Sequence, residues 1–361
     1  MRGFDYVPAV DAEMALATMP QGTHHASERA LPAKFIAGGT NLIDLMKGES
    51  VMRPRRLVDV GRLPFADIEE TGGGGVRLGA LARNAATAKH PLVRERYPLL
   101  AAAILAGASP QIRNMATNGG NLLQRTRCHY FYDVAVPCNK REPGTGCPAR
   151  DGLARQLAIL GTSDQCIATH PSDMCVALAA LEAVVHVRSP RGEHTIPFSD
   201  FHRLPGSEPD RDTVLASDEL ITHIVLPAQG FARHGAYLKV RDRASYAFAL
   251  VSVAAGLDLG EDGRVRAARI AVGGVAHKPW RVPEAEDALA GREPTAEAFA
   301  QASERLLRGA RGHGTPGGPG DNRFKIELAR RAIVRALEMA RDGELTNTGE
   351  LGAGHVQDAQ P

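Results

Sequence analysis

Cysteine is scarce in this 361-residue chain: there are five, beside one tryptophan and an aromatic content of only 5%. Five thiols cannot all pair within one chain, and a protein this long can bury a sufficient core without disulfides. A disulfide-dense secreted scaffold is excluded, and reduced thiols are expected. No run of about 18 apolar residues occurs, and the opening MRGFDYVPAVDAEM lacks a basic segment followed by an apolar one. No membrane insertion and no export signal of the chain's own are therefore expected. Charge of neither sign dominates, with 43 Lys and Arg against 41 Asp and Glu. Nothing in that balance would draw nucleic acid or an anionic membrane. The glycines of AKFIAGGTN match neither Gly-x-Gly-x-x-Gly nor Walker A, the ordinary mononucleotide templates, and His-Glu-x-x-His and Gly-x-Ser-x-Gly are missing from the chain.

What is present falls into three regions. The first, to about residue 62, alternates strand and helix signals: FDYVPAVDAEMALATM, AKFIAGG, NLIDLMKGE and RRLVDVG. In NLIDLMK, Leu42, Leu45 and Met46 sit at i, i+3 and i+4, the spacing of a short amphipathic helix. The second, about 63–225, holds the strand candidates VRLGAL, VVHVRS and ELITHIVLP, a helical stretch at 97–108 and all five cysteines. The third, about 226–342, has long strand candidates AFALVSVAAGLDL and RVRAARIAVGGVA joined by GEDGR, then helices near 295–309 and 323–341. Strands followed by helices make an α+β pattern. By composition, the Gly/Pro segment 311–322 and the apolar-poor tail 343–361 are expected to be mobile.

Two Gly-Gly segments carry the first chemical signal. AKFIAGGTNLIDLMK (33–47) and ASPQIRNMATNGGNLLQR (108–125) each set two glycines before a helical start. Glycine lets backbone approach a ligand closely, and a helix start offers unpaired N–H groups to an anion. Two such turns in adjacent lobes suit a pyrophosphate gripped from both sides, hence a dinucleotide. Two unrelated turns that use glycine for positive φ remain the alternative.

The cysteines carry the second. Cys128, Cys138, Cys147 and Cys166 follow a Cys-x9-Cys-x8-Cys-x18-Cys spacing, without the Cys-x2-Cys pair of a small metal domain. Three of them crowd into CHYFYDVAVPCNKREPGTGC. Cys175 instead falls in the helical run HPSDMCVALAALEAVV, where a free thiol acts as a small hydrophobe.

AGGTNLIDLMK and TNGGNL resemble the two FAD loops of the medium, FAD-binding subunit of xanthine oxidase family molybdenum hydroxylases. HPSDMCVALAALEAVV and YLKVRDRASYAFALVSVA extend the resemblance to about residue 342. It is greatest to the FAD subunits of three-subunit bacterial aldehyde oxidoreductases, where a cysteine loop after the second FAD loop binds an extra 4Fe-4S cluster. The fold implied is α+β: a two-lobed FAD-binding domain of the PCMH or vanillyl-alcohol-oxidase type over 1–225, with lobes of about 1–62 and 63–225 and an iron-sulfur insertion at about 124–168. A smaller α+β domain of the CO-dehydrogenase-flavoprotein kind over 226–342 and a flexible tail would follow.

The resemblance places Ala37, Gly38, Gly39, Thr40, Asn41 and Leu42 on one side of the FAD diphosphate, with Thr117, Gly119, Gly120 and Asn121 on the other. Asp173 matches the acidic position near the ribityl or flavin end, although a helix N-cap suits it equally. Lys239 matches a basic position near the isoalloxazine ring, and Ile224 is expected to pack on that ring or simply in the core. Cys128, Cys138, Cys147 and Cys166 are the cluster ligands, with zinc on the same thiols, no ligation, or His129 in place of one thiol as alternatives. No catalytic acid or base is expected on this chain. A large molybdenum-cofactor subunit would oxidise the aldehyde, and a small 2Fe-2S subunit would pass electrons to this one and on to an external acceptor.

An FAD subunit of an aromatic acyl-CoA reductase and a zinc-stabilised flavoprotein assembly subunit remain alternatives. Assembly is expected in the cytoplasm, with export to the periplasm only alongside a signal-bearing partner.

Overall fold

The computed structural model describes residues 3–21, 31–47 and 51–348. In the first sheet, β1 (Asp5–Pro8), β2 (Lys34–Ile36) and β3 (Arg56–Asp59) run parallel in the order β1-β3-β2. Helix Ala12–Ala17 begins where the Asp11 carboxylate accepts the Met14 N–H at 2.7 Å, satisfying one of the orphan donors of the first turn.

The second sheet is antiparallel: β4 (Ile68–Glu70), β5 (Val76–Gly79), β6 (Val184–Ser189), β7 (Gly192–Pro197) and β8 (Leu220–Leu226), ordered β4-β5-β8-β6-β7. Along β6 the residues Val185, Val187 and Ser189 are buried and their neighbours are not, the period of two that VVHVRS requires. Helices Pro98–Ala106 and Asp173–Ala180 pack on each other and reach the third sheet. Every residue of Asp173–Ala180 is buried, which explains a helix with no polar face.

In the third sheet β9 (Gly235–Val240), β10 (Val251–Leu259) and β11 (Val265–Gly273) are antiparallel in the order β11-β10-β9. The GEDGR turn joins β10 to β11, with Gly263 at φ +75° where a side chain would be strained. Helices Ala296–Leu306 and Phe324–Asp342 bury apolar stripes against this sheet and each other.

Two composition-based expectations are corrected. Segment 311–322 is tied down by the cysteine-bearing insertion: Gly314 donates to the Arg150 carbonyl at 2.8 Å, and the Gly320 carbonyl accepts from Ala154 at 2.9 Å. A Cβ on Gly320 would lie 2.5 Å from the Gly152 carbonyl oxygen, so its glycine allows close approach of backbones and not looseness. Fully buried Asn322 donates to the carbonyls of Leu157 and Ala158 and accepts from His313 N–H. In the tail, residues 343–348 lie along β9: Tyr237 N–H donates to Leu345, and Asn347 exchanges two hydrogen bonds with the Lys239 backbone. An open strand edge can recruit chain through backbone groups alone. The remaining tail, 349–361, lies outside the described residues.

Lys325 joins the insertion to the third sheet. It is fully buried, donating to the carbonyls of Leu157 at 2.8 Å and Gly274 at 2.5 Å, and burial lowers its pKa to about 7 from an ordinary 10.5. Between those two values the unfolded chain binds more protons than the folded one, so this residue makes stability rise with pH across that window. Thermal melts at pH 7 and pH 9 should show the wild type gaining on Lys325→Met by several degrees. Parallel shifts in both proteins would contradict a lysine of lowered pKa.

Candidate functional site

The main cleft, about 760 Å3, opens between the parallel lobe and the loops of the second sheet. Both Gly-Gly turns line it. Gly38 shows why: a Cβ there would stand 2.0 Å from the Met115 carbonyl oxygen, so the two turns meet backbone to backbone. Gly39 takes φ +69°. Ala37, Thr40, Asn41 and Leu42 face the same cleft, as do Thr117, Gly120 and Asn121. Gly119 does not. It is buried below, its N–H bonded to the Ala80 carbonyl at 2.8 Å.

A buried amide network that the sequence did not single out holds the second turn. Asn118 accepts from Asn84 and Thr87, each at 3.0 Å, and donates to the Gly79 carbonyl. Asn121 donates to Asn84 at 2.7 Å and accepts from Ser172 and Gln124. On the first turn, Asn41 Oδ1 accepts the Arg125 N–H at 2.8 Å, while its buried Nδ2, which borders the cleft, has no partner among the described residues.

Asp173 and Lys239 meet at the cleft wall. Lys239 Nζ lies 2.8 Å from Asp173 Oδ2 and 2.9 Å from the Ala106 carbonyl, and Tyr237 Oη donates to Asp173 Oδ1 at 2.6 Å. Burial and the adjacent carboxylate push the Tyr237 pKa well up. The cap of helix Asp173–Ala180 is Ser172, whose Oγ accepts from Cys175 N–H. That frees the Asp173 carboxylate for Lys239. Ile224 is fully buried in β8 between Leu78 and Val185, in the core and not among the lining residues of the cleft.

Next to the cleft, Cys128, Cys138, Cys147 and Cys166 line one small internal cavity. Arg125 and Arg127 border the cleft, and the adjoining Cys128 and Phe131 border the cavity. The loop is irregular but firmly held. Arg141 donates to the carbonyls of Tyr130, Phe131 and Val136, and Asn139 bonds Gln165 and Gly146. The Cys147 and Cys166 thiols are hydrogen-bonded, which lowers the pKa of Cys147 and, with burial, raises that of Cys166 to about 11. Burial pushes Cys128 up to about 12.

Backbone N–H groups of Tyr130 and Phe131 point to the Cys128 sulfur, those of Lys140 and Arg141 to Cys138, and that of Ile167 to Cys147. Such donors suit thiolates, and the buried Cys128, Cys138 and Cys166 thiols, whose ionisation burial opposes, would be held as thiolates by a cationic centre. No three of these four sulfurs lie within 4.8 Å of one another. A zinc tetrahedron with bonds of about 2.3 Å would hold all four within roughly 4 Å. A cubane, with each thiolate on a different iron, would hold its four sulfurs farther apart.

His129 is exposed and does not line the cavity. Cys175 is fully buried in the core beside His170 and His202. There, His202 Nε2 donates to the Leu122 carbonyl at 2.8 Å and stands 3.2 Å from His170 Nε2. Burial lowers the pKa of His202 to about 4, leaving a neutral hydrogen-bonded pair.

A family model described as the FAD binding domain in molybdopterin dehydrogenase matches residues 4–229, and one described as the CO dehydrogenase flavoprotein C-terminal domain matches 236–340. The chain belongs to the FAD-binding subunits of the xanthine oxidase family molybdenum hydroxylases. This FAD-binding subunit is 50% identical over 317 residues to the aldehyde oxidoreductase FAD-binding subunit PaoB of Escherichia coli K12, covering 88% of this chain and 94% of that protein. It is 30% identical to the nicotine 6-hydroxylase medium subunit of Paenarthrobacter nicotinovorans, covering 84% and 89%. Among solved structures, carbon monoxide dehydrogenase from Hydrogenophaga pseudoflava aligns with a TM-score of 0.70 at 26% identity, over 94% of this chain and 97% of that one.

FAD fits the cleft on the chain's own features: two glycine turns in backbone contact, and the unpartnered Asn41 amide at its wall. Gly38→Ala in this FAD-binding subunit forces the turns apart, an overpacking cost of about 1–3 kcal/mol. FAD affinity should fall about ten- to a hundredfold. A flavin titration of the variant with unchanged affinity would contradict that geometry.

Proposed function

We propose that this chain is the electron-transfer subunit of a molybdenum-dependent aldehyde oxidoreductase, holding FAD in the cleft and a 4Fe-4S cluster on Cys128, Cys138, Cys147 and Cys166. A large molybdenum-cofactor subunit and a small 2Fe-2S subunit complete a heterotrimer, and an external acceptor takes the electrons from the flavin. The observation that carries this reading is the convergence of four thiols, three of them buried and that of Cys147 half-buried, on one cavity adjoining the flavin cleft. The aldehyde assignment draws support from the relative that shares half of its residues and is named for that substrate class.

Bound flavin collects electrons singly and releases them singly or in pairs, and the cluster relays one at a time. The protein's task is to hold, orient and tune. Asn41 and the two glycine turns grip the dinucleotide, while Asn84 and Asn118 keep the second turn in place. The Asp173–Lys239 pair supplies fixed charge at the wall. Arg127 lies over the rings of Phe248 and Tyr132, at 5.0 and 6.0 Å, narrowing the approach between cleft and insertion. None of these roles asks for a general acid or base.

Among the described residues no helix is long and apolar enough to cross a membrane. The complex would work in the cytoplasm, or in the periplasm if a signal-bearing partner carries it there.

Anaerobic addition of an aromatic or aliphatic aldehyde to the assembled complex should bleach the flavin absorption band. Bleaching absent with every aldehyde, yet flavin first reduced with dithionite and then reoxidised by an aromatic acyl-CoA, would transfer the chain to the reductase branch.

A further inference from the structure

A buried charge network bridges the two sites. Asp212 pairs with Arg125 through Nε and with Lys140 through Nζ, and Lys140 also donates to the Pro209 carbonyl at 2.6 Å. Arg125 reaches the Asp210 carbonyl at 3.3 Å, and its guanidinium lies 5.1 Å from the centre of the Phe131 ring. Arg125 and Asp212 line the flavin cleft, whereas Lys140 and Phe131 line the cysteine cavity. The Lys140 side chain is 1% exposed, that of Arg125 9% and that of Asp212 22%. The two cations hold the Asp212 carboxyl far below the ordinary carboxylate range.

Two cations and one anion leave a single net positive charge between the sites. Charges in a poorly solvated region act on both neighbours with little screening. Lys140 stands two residues after Cys138 in the chain, and its charge also acts on the Cys166 thiol.

We propose that the Arg125–Asp212–Lys140 network is one shared electrostatic element that sets the reduction potentials of the flavin and of the four-thiolate site together. The inference rests on the cluster reading above. These are positioning residues: they touch neither an acceptor nor reacting atoms through any contact seen here. Adding an electron is eased by nearby positive charge and opposed by its removal, so potentials should follow the net charge of the network. Lys140→Met leaves that net charge at zero, Asp212→Asn leaves two positive charges, and the double variant restores one.

The test is a potentiometric titration of the whole complex, following the cluster by its paramagnetic resonance and the flavin by absorbance. Asp212→Asn should raise both midpoints and Lys140→Met lower both, each by about tenfold in the one-electron equilibrium constant, which is ~59 mV. The double variant and Lys140→Arg should return near the wild type. A loss of packing would push both single variants the same way, and that result, or unmoved midpoints in iron-loaded protein, overturns the inference. If a variant fails to hold iron, its flavin midpoint must still move with the predicted sign, and a fixed flavin midpoint overturns the inference as well. Iron missing from the wild type itself would mark instead the failure of the cluster reading.

Discussion

Serine at Cys166 is expected to take the insertion from about four irons per chain to fewer than one, because a cubane is held by four thiolates and tolerates the loss of one poorly. Cys166 is the strongest choice: it hydrogen-bonds Cys147, acts electrostatically on Cys128 and Cys138, and is itself buried. Serine at Cys128, Cys138 or Cys147 should have the same effect to a lesser or equal degree. Cys175→Ser is the control. Burying its hydroxyl in an apolar helix costs about 1–3 kcal/mol, yet iron should stay at the wild-type count. Iron content, acid-labile sulfide and the urea midpoint of the same preparations separate these outcomes. Iron lost equally from Cys175→Ser would mean that general destabilisation, not ligation, empties the loop.

The second large effect is expected at the cleft wall. Lys239→Met leaves the Asp173 carboxylate buried with Tyr237 as its one side-chain partner among the described residues. Removing one member of a buried ion pair costs about 3–5 kcal/mol. The variant should melt well below the wild type and hold little flavin. Because the penalty belongs to the stranded charge, Asp173→Asn on top of Lys239→Met should recover part of the stability. Urea unfolding of the two single variants and the double variant measures this coupling. Strict additivity would show that the pair, though close, is not coupled.

The sequence displayed the parts whose chemistry is local. The glycines of AGGTN and TNGGN mark places where no side chain fits, and Gly38 against the Met115 carbonyl is such a place. Cys128, Cys138, Cys147 and Cys166 stood out because cysteine is rare here and three lie close together in the chain. Cys175 was legible as core from the apolar run around it, and it is fully buried.

Long-range polar contacts were not legible. Asn139, Lys140 and Arg141 gave no signal of their own, yet each is at least nine-tenths buried because its partners come from residues 130–136, 146, 165 and 209–212. Asn84 gave no signal, since its role depends on Asn118 and Asn121 arriving from 34 and 37 residues away. Segment 311–322 read as loose for a related reason. Gly314 and Gly320 serve a backbone-to-backbone seam with the insertion, and composition cannot distinguish a seam from a linker. For Ile224 the strand pattern left open the ring or the core, and it lies fully buried in the sheet core.

The central claim is that the insertion is an iron-sulfur site beside the flavin. Its most direct test is the iron, zinc, acid-labile sulfide and FAD content per chain of protein purified anaerobically. About four irons and four sulfides with one FAD, as a single cubane requires, is the predicted result. One zinc per chain with neither iron nor sulfide would contradict the claim and make the four cysteines a structural clamp in a flavin-binding subunit.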